Sequence, residues 1–178
     1  MTRRHGRKRP FRGFQRRNLW IPVAILVLWL LRGSFPERPD RSPPPSALEE
    51  GVYRVERVVD GDTLVLANGG RVRLIGADTP ETVRPNHPVE PWGPEATEFT
   101  ERFVARGEVR LQFDGRRQDK YDRFLAHVWV DGRMLEEELL RAGLARAETN
   151  YSYSAEAKDR FRAAEAEARA AGRGIWSR

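Results

Sequence analysis

The sequence predicts an α+β domain with a mainly β core: a five-stranded barrel carrying three helices, preceded by a separate apolar helix near the N-terminus. Three observations lead there. Five short runs rich in Val, Leu, Ile and Phe are interleaved with polar residues and bounded by turns containing Gly, Asp or Asn, the mark of half-buried strands. One segment of helical period follows the third run and two follow the fifth. Finally, residues 19–31, "LWIPVAILVLWLL", are thirteen uncharged, almost wholly apolar residues set apart from everything after them.

The N-terminal elements concern address rather than chemistry. Residues 1–18 form a basic tail with eight Lys or Arg and no acid, and Arg32 closes the apolar segment that follows. As a helix, thirteen residues would span about 20 Å at roughly 1.5 Å per residue, short of a hydrocarbon core of about 30 Å. That length favours the h-region of a cleaved signal peptide. The "RGSFP" that follows offers no small-x-small cleavage pattern, however, and Trp20 and Trp29 sit where interfacial anchors would, which favours an uncleaved signal-anchor over 19–32. Either way the basic tail stays cytoplasmic, and the rest is expected outside the cytoplasm, anchored in the membrane through residues 19–31 or secreted. Residues 33–48 contain five prolines among Ser and charged residues and read as an extended linker. The folded domain is expected over 49–178. The absence of cysteine permits export without demanding it.

Charge follows the same division. The net +6 tempts a nucleic-acid reading, yet residues 49–178 hold 21 basic and 24 acidic residues, near −3. A domain-wide basic face is thereby excluded, and any contact with nucleic acid must come from a local cluster. Membrane topology accounts for the basic tail without assigning it nucleic acid.

Within the domain, "GVYRVERVVD" (51–60) sets Val52, Val55 and Val58 among polar residues as a first strand. "TLVLA" (63–67) and "RVRLIG" (71–76) continue it, joined by Asn68-Gly69-Gly70, a strong hairpin signal. A loop with Pro80, Pro85, Pro88, Pro91 and Pro94 follows, in which His87 reads as solvated and Trp92 as the anchor. "PEATEFTERFVARG" (94–107) places Ala96, Phe99, Phe103 and Val104 on one helical face, with Pro94 suited to its start and Gly107 to its end. "EVRLQF" (108–113) and "RFLAHVWVDG" (123–132) are the fourth and fifth strands, flanking the loop 114–122. Helices then fit "MLEEELLRAG" (134–143), closed by Gly143, and the alanine-rich "SAEAKDRFRAAEAEARAAG" (154–172), closed by Gly172. Trp129 and Trp176 read as packing residues. A Greek-key barrel of the oligonucleotide-binding type (OB-fold) has this size and strand number.

The chemistry gathers at the ends of neighbouring strands. "VVDGDTLVL" (58–66) and "RLIGADTPE" (73–81) supply Asp60, Asp62, Asp78 and Glu81, the oxygen donors a hard cation such as calcium takes. Alone, Asp-Gly-Asp is most often only a turn, and Asp78-Thr79-Pro80-Glu81 could merely cap one. Arg73 on the connecting strand and Arg123 after the later loop change the balance, because a guanidinium can grip two phosphate oxygens at once. A cation, two arginines and a spare carboxylate are the parts needed to hydrolyse a phosphodiester.

Six stretches, "VVDGDT", "RLIGADTPE", "HPVEPWGPEA", "QDKYDR", "DGRMLEEELLRAGLA" and "GIWS", resemble the staphylococcal nuclease (thermonuclease) family in order and spacing over residues 50–178. The resemblance implies an OB-fold barrel with three helices and a calcium-dependent phosphodiesterase acting on single-stranded DNA and RNA, leaving 3′-phosphate ends. It implies Asp62 and Asp78 as calcium ligands with the backbone carbonyl of Thr79, and Asp60 as a carboxylate behind them. Glu81 would orient or deprotonate the attacking water, while Arg73 and Arg123 would hold the scissile phosphate. Lys120 and Tyr121 match positions that contact a neighbouring phosphate. Tyr151 and Tyr153 either supply the stacking surface for a base or are ordinary surface tyrosines, since the segment before them is longer than the family pattern by about two residues. Asp122 stands where the reference nuclease of that family carries glycine. The alternative is a catalytically inactive OB-fold module that binds nucleic acid or protein; its mark would be loss of Glu81 or an arginine, and all three are present. The domain is expected to act as a monomer.

Overall fold

The computed structural model describes residues 45–83 and 88–177. Expectations for the basic tail, the apolar helix, the linker up to residue 44, Pro85 and His87 lie outside the described residues. Among the described residues no helix is long and apolar enough to cross a membrane.

The elements run β1 (Gly51–Asp60), β2 (Thr63–Leu66), β3 (Arg71–Leu74), β4 (Ala77–Asp78), α1 (Gly93–Phe103), β5 (Glu108–Gln112), β6 (Phe124–Val130), β7 (Arg133–Met134), α2 (Leu135–Ala142), β8 (Arg146–Ala147) and α3 (Ala155–Ala170), then a 3₁₀ turn (Gly174–Trp176). Strands β3-β2-β1-β5-β6 pair antiparallel in that order, and β6 returns to β3 in parallel, closing the five-stranded barrel. β1 serves both halves of the sheet. Its first residues pair with β5 and its last with β2, and register shifts between Val55 and Arg57 and between Val58 and Asp60 supply the bend. Val52, Val55 and Val58 all lie on this strand as expected; Val52, three residues from Val55, points to the opposite face and is 64% exposed.

Leu64, Leu66, Val72, Leu74, Val109, Leu111, Phe124, Ala126 and Val128 fill the interior, and Leu135, Leu139 and Leu140 of α2 pack into the same cluster with Phe161 of α3. Leu48, last residue of the proline-rich stretch, already belongs to this core. α2 ends at Gly143 in the left-handed conformation (φ 73°), and Ser154 caps α3 by accepting a hydrogen bond from the Ala157 amide. β4 and β8 form a separate two-stranded sheet, and these strands, like β7, are two residues long, too short to show a period. Trp129 and Trp176 do pack as expected, each against two guanidinium groups: Arg110 and Arg160 over the first, Arg146 and Arg169 over the second.

α1 positions the chemistry. Ala96, Thr100 and Val104 are its buried stripe, with Phe99 and Phe103 half-buried beside it. The Thr100 hydroxyl donates to the Gly61 carbonyl at 2.6 Å. A β-carbon on Gly61 would lie 2.8 Å from both Ala96 Cβ and Thr79 Cγ2, so only glycine allows helix, turn and Thr79 to meet. Trp92, read from the sequence as the anchor of the loop, stands 36% exposed at the start of this helix.

Candidate active site

The turn between β1 and β2 presents Asp60 and Asp62. The Asp62 amide donates to Asp60 Oδ1, and the Asp62 side chain is itself almost fully buried. Its Oδ2 accepts from the Thr79 amide and hydroxyl at 2.9 Å each, while its Oδ1 accepts from the Thr63 hydroxyl. Such a carboxylate is held against rotation by groups from two separate segments. Arg73, opposite Thr63 in the β2–β3 ladder, sets its guanidinium against Asp62 and donates to Asp78 Oδ1 at 2.6 Å, bridging the two carboxylates. Burial pushes the Asp60 pKa above its ordinary value; Thr63, Arg73 and Arg123 oppose that shift, and the charge of Glu81 adds to it.

Glu81 lies at the neck of the proline-rich loop. Its Oε1 accepts from the amides of Thr82 and Val83, its own amide donates to Glu90 Oε2 at 3.2 Å, and the Glu90 amide donates back to its carbonyl at 2.9 Å. Glu90, which sequence reasoning missed, therefore fixes the backbone of the residue expected to handle water. A cavity of about 200 Å³ gathers Asp60, Asp62, Asp78, Thr79 and Glu81 with Arg73 and Arg123 around one space.

Arg123 owes its direction to Asp119, the second omission. Asp119 Oδ2 accepts from Arg123 Nε at 2.7 Å, and its Oδ1 accepts from the amides of Tyr121 and Arg123. Burial alone would raise the Asp119 pKa, but those hydrogen bonds and the arginine charge outweigh it and hold the carboxyl below its ordinary value. The signal was legible, since Asp119 lies within "QDKYDR" and loops commonly tie Asp to amides two residues on. Lys120 and Arg123 both approach the ring of Tyr121, at 4.9 and 5.5 Å, and Tyr121 is exposed. Asp122 is exposed and left-handed, φ 59°, which explains why glycine suits this position and where the extra carboxylate goes.

A second cavity, about 370 Å³, opens beside the arginines and is walled by Glu148, Asn150, Tyr151 and Ser152. Tyr151 is 61% exposed on its rim. Tyr153 is not a stacking surface. It is buried, its ring meets Phe161 and His127 at 6.0 and 6.3 Å, and its hydroxyl donates to the Glu148 carbonyl. Burial, chiefly, pushes its pKa up to about 12. The cause is the approach to α3, which turns this ring inward against Gly76, where a β-carbon would fall 2.5 Å from the tyrosine hydroxyl.

Beneath that wall lies a buried chain of charge that the sequence did not disclose. His127, 2% exposed, faces Glu136 Oε1 through Nδ1 at 3.1 Å and Asp114 Oδ2 through Nε2 at 3.4 Å. Asp114 also accepts from the Ser154 amide, and fully buried Glu136 accepts from the Val128 amide. Burial lowers the His127 pKa, but the hydrogen bonds and charges of Glu136 and then Asp114 outweigh it and raise it above its ordinary value.

The donor set at Asp62, Asp78 and Thr79 is all oxygen, and the space between the two carboxylates already takes a positive group, the guanidinium of Arg73. That chemistry fits a hard divalent cation. Among the described residues no three His, Cys, Asp or Glu side chains converge as a metal cage, so a cation here would rest on two carboxylates plus backbone and water oxygens.

A buried carboxylate with three more accessible ones beside it, facing two arginines across the mouth of a small barrel, has the parts of a phosphodiester-cleaving hydrolase. The comparisons name its kind. A family model described as staphylococcal nuclease homologue matches residues 71–178, and the chain belongs to that family. It is 39% identical over 165 residues to a thermonuclease of Staphylococcus hyicus, covering 89% of this chain and 95% of that one. It is 41% identical over 132 residues to a thermonuclease of Staphylococcus intermedius, covering 72% and 76%. Against endonuclease YncB of Bacillus subtilis the figure is 43% over 128 residues, covering 70% of this chain and 61% of that one. The protein is a nuclease, and nucleic acid is its substrate.

Proposed function

We propose that the protein is a calcium-dependent endonuclease that cuts single-stranded DNA and RNA with little sequence preference and leaves 3′-phosphate ends. The observation that carries this reading is the single space shared by Glu81, Arg73, Arg123 and the Asp62–Asp78 pair. The side chains of Asp62 and Asp78 and the Thr79 carbonyl would hold the calcium ion, which would supply positive charge against the phosphate oxygens.

The chain's own residues do the rest. Arg123, tied to Asp119 through Nε, keeps its outer nitrogens for the phosphate, and Arg73 meets the same group from β3. Glu81 orients water and takes its proton as the oxygen attacks phosphorus; the 5′-oxygen departs, takes up a proton, and leaves a 3′-phosphate. Lys120 and Tyr121 contact the neighbouring phosphate, Tyr151 offers its exposed ring to a base, and Asp60 stands behind the ligands. Two carboxylates make a weak calcium site, on the order of 10⁻⁴ to 10⁻³ M as in extracellular modules. That affinity suits a domain working outside the cytoplasm as a monomer, tethered through residues 19–31 or released by cleavage after them.

The test is incubation of the purified protein with single-stranded DNA and RNA, in millimolar calcium and in excess chelator, beside a Glu81→Gln variant. Calcium-dependent cuts with 3′-phosphate ends that vanish in the variant support the reading. Intact nucleic acid from folded wild-type protein in calcium overturns it in favour of a binding module.

A further inference from the structure

A third cavity, about 380 Å³, continues the row of the other two. It shares Asp78, Thr79, Pro80 and Glu90 with the central space, just as the Tyr151 cavity shares Arg73 and Arg123 with it on its other side. The walls that belong to the third cavity alone include Trp92, Arg146, Pro91 and Ile175. The phosphate-handling groups thus sit midway along a trench with an exposed aromatic ring at each end, Tyr151 and Trp92.

Both distinctive residues are held in place by the fold. Trp92 has φ 71°, a left-handed conformation that is an outlier for a bulky aromatic, and it persists because the next turn is locked on both sides. Its carbonyl accepts the Ala96 amide, and a β-carbon on Gly93 would fall 2.6 Å from Thr82 Cγ2. Arg146 lies on β8 directly opposite Asp78 of β4, with its guanidinium 4.5 Å over the Trp176 ring. No step of the mechanism above uses either side chain. An exposed flat ring and an exposed guanidinium along one groove are what a single strand needs: a face for a base and a positive group for its backbone.

We propose that Trp92 and Arg146 form a second nucleotide subsite, on the opposite side of the scissile phosphate from Tyr151, with Trp92 stacking on the base and Arg146 contacting the backbone phosphate. The inference rests on the nuclease reading and deepens it. A strand gripped on both sides of the cut is cleaved internally, and a substrate with a nucleoside on one side only forfeits half of the contacts.

The experiment compares the full-length protein with its Trp92→Ala, Trp92→Phe and Arg146→Gln variants on three substrates: a single-stranded oligonucleotide, a nucleoside 3′-(4-nitrophenyl phosphate) and a nucleoside 5′-(4-nitrophenyl phosphate). Trp92→Ala should lose about 10-fold in kcat/KM on the oligonucleotide and on the ester of one orientation, with the other ester unchanged and Trp92→Phe close to wild type. Arg146→Gln should weaken oligonucleotide binding and flatten its salt dependence by about 0.7 in the log–log slope, one phosphate contact on a single strand. Equal loss on both esters, or no loss on the oligonucleotide, overturns the subsite. Wild-type protein inert on all three substrates overturns instead the nuclease reading, and the subsite with it.

Discussion

Replacing Glu136 by Ala tests the buried charge chain. The Val128 amide now points at both Glu136 oxygens at 3.3 Å, and its loss of both acceptors leaves a buried donor orphaned, about 1–3 kcal/mol. His127 loses its nearer partner and keeps only Asp114; breaking a buried pair on one side costs about 3–5 kcal/mol. These overlap, and alanine's better helix propensity returns about 0.5 kcal/mol, so a net loss of about 3–5 kcal/mol is expected. For a domain of this size that lowers Tm by about 10–20 °C. The pH dependence is an independent arm. The folded His127 pKa is raised above the ordinary 6.5, so its contribution is fully present below that value and fades as pH rises through the folded pKa. Wild-type stability should therefore decline from neutral into mildly alkaline pH, and His127→Gln should flatten that decline. Urea unfolding between pH 5 and 9 at fixed calcium reads both. A Glu136→Ala loss under about 1 kcal/mol, or identical pH profiles for wild type and His127→Gln, would refute the reasoning.

Glu81→Gln keeps an oxygen for the Thr82 and Val83 amides but cannot take a proton, so kcat should fall about 10² to 10⁴-fold with Tm nearly unchanged, as steady-state kinetics beside a melting curve will show. Asp119→Asn frees Arg123 from its ion pair and should lower kcat by about 10-fold while the bound-metal affinity, read by calcium titration, stays constant. Asp122→Gly relieves a left-handed backbone at an exposed position and should raise stability by about 0.5 kcal/mol in urea unfolding, leaving cleavage intact. Gly61→Ala drives a β-carbon to 2.8 Å from Ala96 Cβ and should cost about 1–3 kcal/mol, together with calcium affinity, since Asp62 is the next residue.

Local pattern carried the barrel strands, the Asn68-Gly69 hairpin and the three helices, because alternation, helical period and capping residues are written within a few residues of where they act. What remote elements decide was not legible. His127 lies on the outward side of β6, between inward-facing Ala126 and Val128, and would meet water had α3 not laid Phe161 over it at 5.8 Å. Tyr153 looked like the twin of Tyr151, yet one ring faces the cavity and the other the core, since residues two apart share a face only on a regular strand and this segment is a turn. The carboxylates and arginines were found from residue type and spacing. Of their positioning partners, Asp119 was legible within "QDKYDR" and was passed over, whereas Glu90 meets an amide nine residues away that only the folded loop brings near.

The parallel pairing of β3 with β6 sets Arg73 beside Leu125, and Arg123 stands two residues earlier, immediately before the same neighbouring strand. Arg73 and Arg123 are thus brought to one mouth by the seam that closes the barrel, between strands far apart along the chain. A nascent chain with only β1 to β3 in place holds Asp60, Asp62 and Arg73 and still lacks Asp78, Glu81 and Arg123. The full set of carboxylates and arginines is therefore assembled by a long-range contact, the kind that forms slowly, rather than by synthesis alone. On the proposed mechanism cleavage then reads out topological completion: a barrel that opens at this seam, even with every helix intact, parts Arg73 from Arg123.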